Sequence, residues 1–129
     1  MRIYLSGPIT GYPDHNRKAF ADVAFTLQSE GHFVINPQYF TDIFGGAEEV
    51  SRSFEALYAG NPKLVGCDGK PIDDGTALAR AVMEADLAAL RTCDAIYLLR
   101  GWEQSRGARK ELAEAIAHGL QIISEGAEA

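Results

Sequence analysis

The chain has 129 residues, 47% of them hydrophobic and 23% charged, a composition that suits one globular domain with its own core and excludes wholesale disorder. Twelve Lys and Arg against eighteen Asp and Glu leave a net charge of −6. That excludes nucleic acid and an anionic membrane as main partners, because both reward clustered positive charge, while a small anionic ligand needs only a local nest of donors.

Met1 leads into Ile3-Tyr4-Leu5 with no leader pattern, and Ser6-Gly7-Pro8 stops that run, so a buried strand and a tight turn are expected. Phe20, Val23, Ala24 and Leu27 recur at helical spacing over 16–30, and Gly31 ends the helix. A second strand over 32–35 completes a βαβ unit, with a right-handed crossover expected. From 38 to 75 the pattern is less regular. Residues 47–58 fit a helix, and Gly60-Asn61-Pro62 and Cys67-Asp68-Gly69-Lys70-Pro71 are turn signals around Leu64-Val65. This reads as an insertion or lid on a single domain spanning 1–129. Leu78, Val82, Ala85, Leu87 and Leu90 then mark a helix over 76–91, followed by a strand over 95–99, a helix over 106–118 closed by Gly119, and a strand over 120–123. Strands alternating with helices, each strand nearly continuously apolar, predict an α/β fold with a parallel sheet covered on both faces.

Cys67 and Cys93 have neither disulfide density nor metal-motif spacing, and His15, His32 and His118 are scattered. A reducing cytoplasm is therefore the expected setting, with neither metal nor cofactor. No apolar run approaches the roughly 18–20 residues of a membrane span.

Ligands of open α/β sheets bind beyond the carboxyl ends of the strands. Those ends are Ser6 to Gly11 after the first strand and Arg100 to Gly107 after the third. Ser105-x-Gly107-Ala108 opens a helix, where a hydroxyl and free backbone N–H groups converge as an anion site. The alternative is that Ser105 is only an N-cap and Gly107 only a packing residue. Glu111 falls near the helix face that meets the sheet, whereas Glu114 is the solvated acid. Asp86 lies on the helix entering the third strand, and Asp94 is read as a strand-entry residue. Tyr4, inside an apolar strand, needs a partner for its hydroxyl if buried, and a carboxylate is one.

Tyr4-Leu5-Ser6-Gly7-Pro8-Ile9-Thr10-Gly11 resembles the opening of the nucleoside 2-deoxyribosyltransferase superfamily. Asp86-Leu87-x-x-Leu90-x-x-x-Asp94-Ala95-Ile96, Ser105-x-Gly107-x-x-x-Glu111-Leu112-x-x-Ala115 and Gly119-x-x-Ile122 resemble its second half. The chain is also similar to short members of that superfamily carried by phages and prophages. The likeness covers both ends and leaves 38–75 unexplained. It implies a flavodoxin- or Rossmann-like three-layer fold with a parallel sheet of four or five strands, and cleavage of the N-glycosidic bond of a nucleoside or nucleotide. By the same resemblance Glu111 is the nucleophile at C1′, Asp86 the second acid and Tyr4 the residue that positions the nucleophile. Ser6, Gly7, Pro8, Ile9, Thr10, Gly11, Gly101, Ser105, Gly107 and Ala108 would hold the substrate or its phosphate. A homodimer or larger homo-oligomer is implied too, since the family often completes its site with a neighbouring subunit.

Water as acceptor gives hydrolysis and a second base gives transfer. The Ser105 nest suits a 5′-phosphate, so hydrolysis of a (deoxy)nucleoside 5′-monophosphate is the expected activity, and a transferase of free nucleosides is the alternative. A nucleotide-binding module without turnover would use Glu111 only as a helix-end charge. An interaction protein would dock through 38–75. The Gly-Gly-x-Gly-Thr-x-x-Glu element of cytokinin-activating phosphoribohydrolases is replaced here by Gly101-Trp102-Glu103-Gln104-Ser105-Arg106-Gly107.

Overall fold

In a computed structural model of the protein, which describes residues 1–9, 11–58 and 76–125, the first strand sorts the core into two halves. Side chains of β1 (Arg2–Ser6) alternate between the two faces of the sheet. Ile3 and Leu5 join Ala95, Leu99 and Phe20 of α1 (Arg17–Ser29) on one face. Tyr4 joins Ile96, Leu98, Leu90 and Ala115 on the other, the last two from α4 (Ala77–Arg91) and α5 (Arg106–Ala117). Helices on both faces make the three layers. Thr10, Cys67 and the turn signals at 60–62 and 67–71 lie outside the described residues.

The strands β2 (Phe33–Ile35), β3 (Ala95–Leu98) and β4 (Gln121–Ser124) complete a parallel sheet ordered β2-β1-β3-β4. Ile3 is in register with Val34 on one side and Ala95 on the other, and Ser6 with Leu98. This is the flavodoxin-like order, and its direction reverses between β1 and β3, where such folds open a ligand crevice. Four strands are present among the described residues.

Two departures from the sequence reading bear on the site. The first helix begins at Arg17, after a left-handed run in which Asp14, His15 and Asn16 have φ of 49°, 53° and 61°. Three side-chain-bearing residues in that conformation are uncommon. The run is tied down by the Asn16 amide donating to the Pro8 carbonyl at 2.9 Å and the Gln38 amide donating to the His15 carbonyl at 2.9 Å. The second departure is α2 (Gln38–Ile43), a helix in the stretch expected to be irregular, whereas α3 (Ala47–Tyr58) stands where a helix was expected. The six-residue α2 is too short for a periodic pattern to show. α3 buries Val50 and Ser53 and packs on α4, and α2 touches both.

Candidate active site

Tyr4 and Ser6 are two residues apart on β1, so both side chains leave the sheet on the α4/α5 face. Each is fully buried. Ala108, Glu111, Leu112 and Ala115 share one stripe of α5 by the three- and four-residue spacing of a helix, with Leu112 and Ala115 on the sheet. Glu111 therefore meets the two strand hydroxyls. The Tyr4 hydroxyl donates to Glu111 Oε2, and Ser6 Oγ donates to Glu111 Oε1 at 2.7 Å. Both carboxylate oxygens are held from behind, and the front of the group lines a cavity of about 410 Å³.

That cavity opens beyond the carboxyl ends of β1 and β3. Gly7, Pro8, Ile9 and Tyr12 form one wall and Ser105, Gly107, Ala108 and Glu111 another. Asp86, Val82 and Met83 of α4 form the floor, facing Phe54 and Tyr58 of α3. Gly7 is required by packing: a Cβ there would stand 2.8 Å from Leu99 Cβ. The Asp86 Oδ1 atom is buried and has no hydrogen-bond partner among the described residues.

Burial raises both acids, by different routes. Asp86 is pushed up to about 9, first by burial and then by the negative charge of Glu111. Burial pushes Glu111 up to about 7, against the hydrogen bonds from Tyr4 and Ser6, which favour its ionised form. Two buried carboxyl groups that sense each other hold one proton between them over an intermediate pH range. The hydroxyl donors stabilise the anion at Glu111, so the proton resides on Asp86. Tyr4 is itself held well above the ordinary tyrosine range by burial and the Glu111 charge, and it remains a donor. Between about pH 7 and 9 an anion and a neutral acid thus line one cavity.

Ser105 caps α5, its Oγ accepting from the Ala108 N–H at 3.1 Å. The capping role weighed from the sequence is thus present, and the hydroxyl proton remains available because the cap uses only the oxygen as acceptor. Arg106 and Lys110 add positive charge to the cavity wall. Ser6 faces Glu111 inside the core instead of contributing to the wall. Gly101 lies outside the wall as well. It adopts φ +88°, and a Cβ there would collide with the Tyr12 hydroxyl, so its part is to let Tyr12 pack. Gly11, at φ +84°, meets open space. Asp94 is a strand-entry residue as expected: its carboxylate accepts from the Arg2 N–H at 2.8 Å. Glu114 points away from the cavity, but it is not simply solvated. It accepts from Arg91 Nε at 2.8 Å and contacts His118 Nε2 at 3.1 Å.

The sequence reading, which took 38–75 as an insertion or lid, named no site residue in the wall that α3 supplies. Phe54 and Tyr58 stack at 5.7 Å between ring centroids, and the Arg106 guanidinium lies 5.4 Å from the Tyr58 ring centroid while Nη1 donates to the Tyr58 carbonyl at 3.2 Å. The signal was present as Val50, Phe54 and Leu57-Tyr58 at helical spacing. Among the described residues no three His, Cys, Asp or Glu side chains converge as a metal site would require, Cys93 is a free buried thiol, and no helix is long and apolar enough to cross a membrane.

No curated protein matches the sequence. Among solved structures, the fold superposes on the 2-deoxyribosyltransferase of the psychrotolerant bacterium Bacillus psychrosaccharolyticus with a TM-score of 0.56 and 16% identity, over 100% of this chain and 76% of that one. At that identity the likeness is one of fold. The model of one family matches residues 1–124, nearly the whole chain, and the protein therefore belongs to the family described as "Domain of unknown function (DUF4406)".

Proposed function

We propose that the protein cleaves the N-glycosidic bond of a (deoxy)nucleoside 5′-monophosphate through Glu111, releasing the free base. The observation that carries this reading is the pairing in one cavity of a Glu111 carboxylate, held by the Tyr4 and Ser6 hydroxyls, with a buried Asp86 that keeps its proton to about pH 9. Cleavage through an oxocarbenium-like transition state needs an anion to receive C1′ and an acid to serve the leaving group. In the first step Glu111 forms a bond to C1′ as the C1′–N bond breaks, and the base leaves with the bond's electron pair and the Asp86 proton. In the second, water adds to C1′, gives a proton to the Asp86 carboxylate and releases Glu111.

The mostly apolar wall of Ile9, Phe54, Val82, Met83 and Leu87 suits the faces of a nucleobase. Ser105, the first turn of α5, Arg106 and Lys110 suit a phosphate. The fold likeness to a protein named as a 2-deoxyribosyltransferase favours a second reading, transfer of the sugar of a free nucleoside to another base, by the same first step. The test is incubation with a panel of nucleosides and monophosphates, alone and with a second base, followed by chromatography. Free base from monophosphates supports hydrolysis, and new nucleosides formed only with a second base support transfer. Neither product from any substrate would overturn both.

A further inference from the structure

Tyr58 presents a contradiction that neither packing nor the two-step chemistry above resolves. Its hydroxyl is buried without a hydrogen-bond partner among the described residues, although burying such a group unpaired is unfavourable and the great majority find partners. Its ring, by contrast, is held from two sides: Phe54 stacks on it from the same helix, and Arg106 of α5 covers it and grips its carbonyl. A side chain fixed this firmly with its polar end unpaired is pre-organised for something that arrives later.

The position of the hydroxyl indicates what arrives. Tyr58 lines the same cavity as Glu111 and Asp86. Its oxygen lies 3.8 Å from where a Gly107 Cβ would stand, a point 3.9 Å from Ser105 Oγ. The hydroxyl therefore sits over the opening turn of α5, one helical turn before Glu111, beside the Arg106 guanidinium. A substrate with C1′ at Glu111 would bring the far end of its sugar to this place.

We propose that Tyr58 is a substrate-recognition residue, its hydroxyl donating to a phosphate oxygen on the sugar's 5′ carbon, with Arg106 as the positioning residue that fixes its ring. This rests on the functional reading above as to which end of the substrate meets Glu111. Burial and the nearby Glu111 charge raise Tyr58 above the ordinary tyrosine range, so the hydroxyl stays a donor throughout the working pH range.

The experiment compares wild type with Tyr58→Phe in two assays. In the first, calorimetry measures binding of 2-deoxyribose 5-phosphate and of 2-deoxyribose. Loss of one hydrogen bond to a charged group should weaken the phosphate at least about tenfold and leave the plain sugar unchanged. In the second, kcat/KM for a deoxynucleoside monophosphate should fall by a similar factor, through KM, with the free nucleoside unaffected. Tyr58→Phe should also melt at or above the wild-type temperature, because it removes a buried hydroxyl that has no partner among the described residues. A lower melting temperature would mean a structural role and overturn the proposal. So would equal losses on both substrates, no change on either, or no binding of the sugar phosphate by wild type. If wild type turns over nothing but the tenfold binding difference is present, the functional reading fails and the role of Tyr58 stands. If turnover is present and Tyr58→Phe leaves phosphate binding intact, the reverse holds.

Discussion

Tyr4 and Glu111 are joined by a hydrogen bond although 107 residues separate them. The bond links the first strand to the last helix and aims a carboxylate at a cavity instead of leaving it on the surface. It also fixes the direction of an electrostatic effect, since a donor on the carboxylate favours the charged form.

Replacing Glu111 by Gln keeps the shape of the side chain and removes its charge. Turnover should fall by several orders of magnitude, as for an essential group acting as part of a unit, with the fold retained by circular dichroism. Glu114→Gln is the matched control. It should leave turnover unchanged and cost a little stability, because Glu114 bridges Arg91 and His118. A Glu111→Gln protein within tenfold of wild type would overturn the nucleophile assignment.

The pH profile follows from the same pair. The proposed mechanism needs Glu111 ionised and Asp86 protonated, so kcat/KM should rise as pH passes about 7 and fall as it passes about 9. Tyr4→Phe removes a hydrogen bond that lowers Glu111, and the acidic limb should therefore move to higher pH. A limb that stays in place would mean that Tyr4 does not tune the nucleophile.

Asp86 should oppose stability where it serves activity. Its folded-state value of about 9 stands far above the ordinary 3.8, so between those values the folded chain holds a proton that the unfolded chain has released. Its contribution to stability is thus fully present below about pH 4 and lost as pH rises through 9. Asp86→Asn stays neutral and should melt above wild type at pH 9, with little difference at pH 4. The same variant should lose turnover, and lose more on substrates with poor leaving groups than on an activated nucleoside. Equal losses on both would remove the acid role.

Ser105 combines two tasks that mutation can separate. Ser105→Ala removes the cap on α5, at a cost of about 1 kcal/mol, and should raise KM for a monophosphate. Ser105→Asp restores the cap and adds a negative charge, so melting temperature should recover while monophosphate KM stays high or rises further. Recovery of both would reduce Ser105 to a cap.

The parts of this molecule legible in its sequence are those where one signal decides the outcome. The apolar runs of β1 and β3 and the periodic stripes of α1, α4 and α5 needed only spacing. Tyr4, Asp86 and Glu111 stood out as polar groups at the ends or on the buried faces of those elements. Ser6 was read as part of a loop facing substrate, and its true partner depends on a β1-to-α5 contact that no local pattern records. The same holds for Tyr58: its helix was visible, but which helix face meets the cavity is set by packing on α4, and a tyrosine at helical spacing looks like ordinary core.

The place of β1 inside the sheet has a consequence for synthesis. Its β2 neighbour follows within the same βαβ unit, whereas the other side waits for β3, and Arg2 meets Asp94 only after 92 residues. At about 5–20 residues per second the nascent chain carries an unpaired strand edge for several seconds, with Ile3 and Leu5 already able to bury against α1 and Tyr4 still facing water. Such an edge invites a second chain. The residues that would do the chemistry therefore come together only once α5 has been made, and a ribosome that stalls before β3 leaves β2 and β1, half of the sheet, with the edge that would meet β3 open to association.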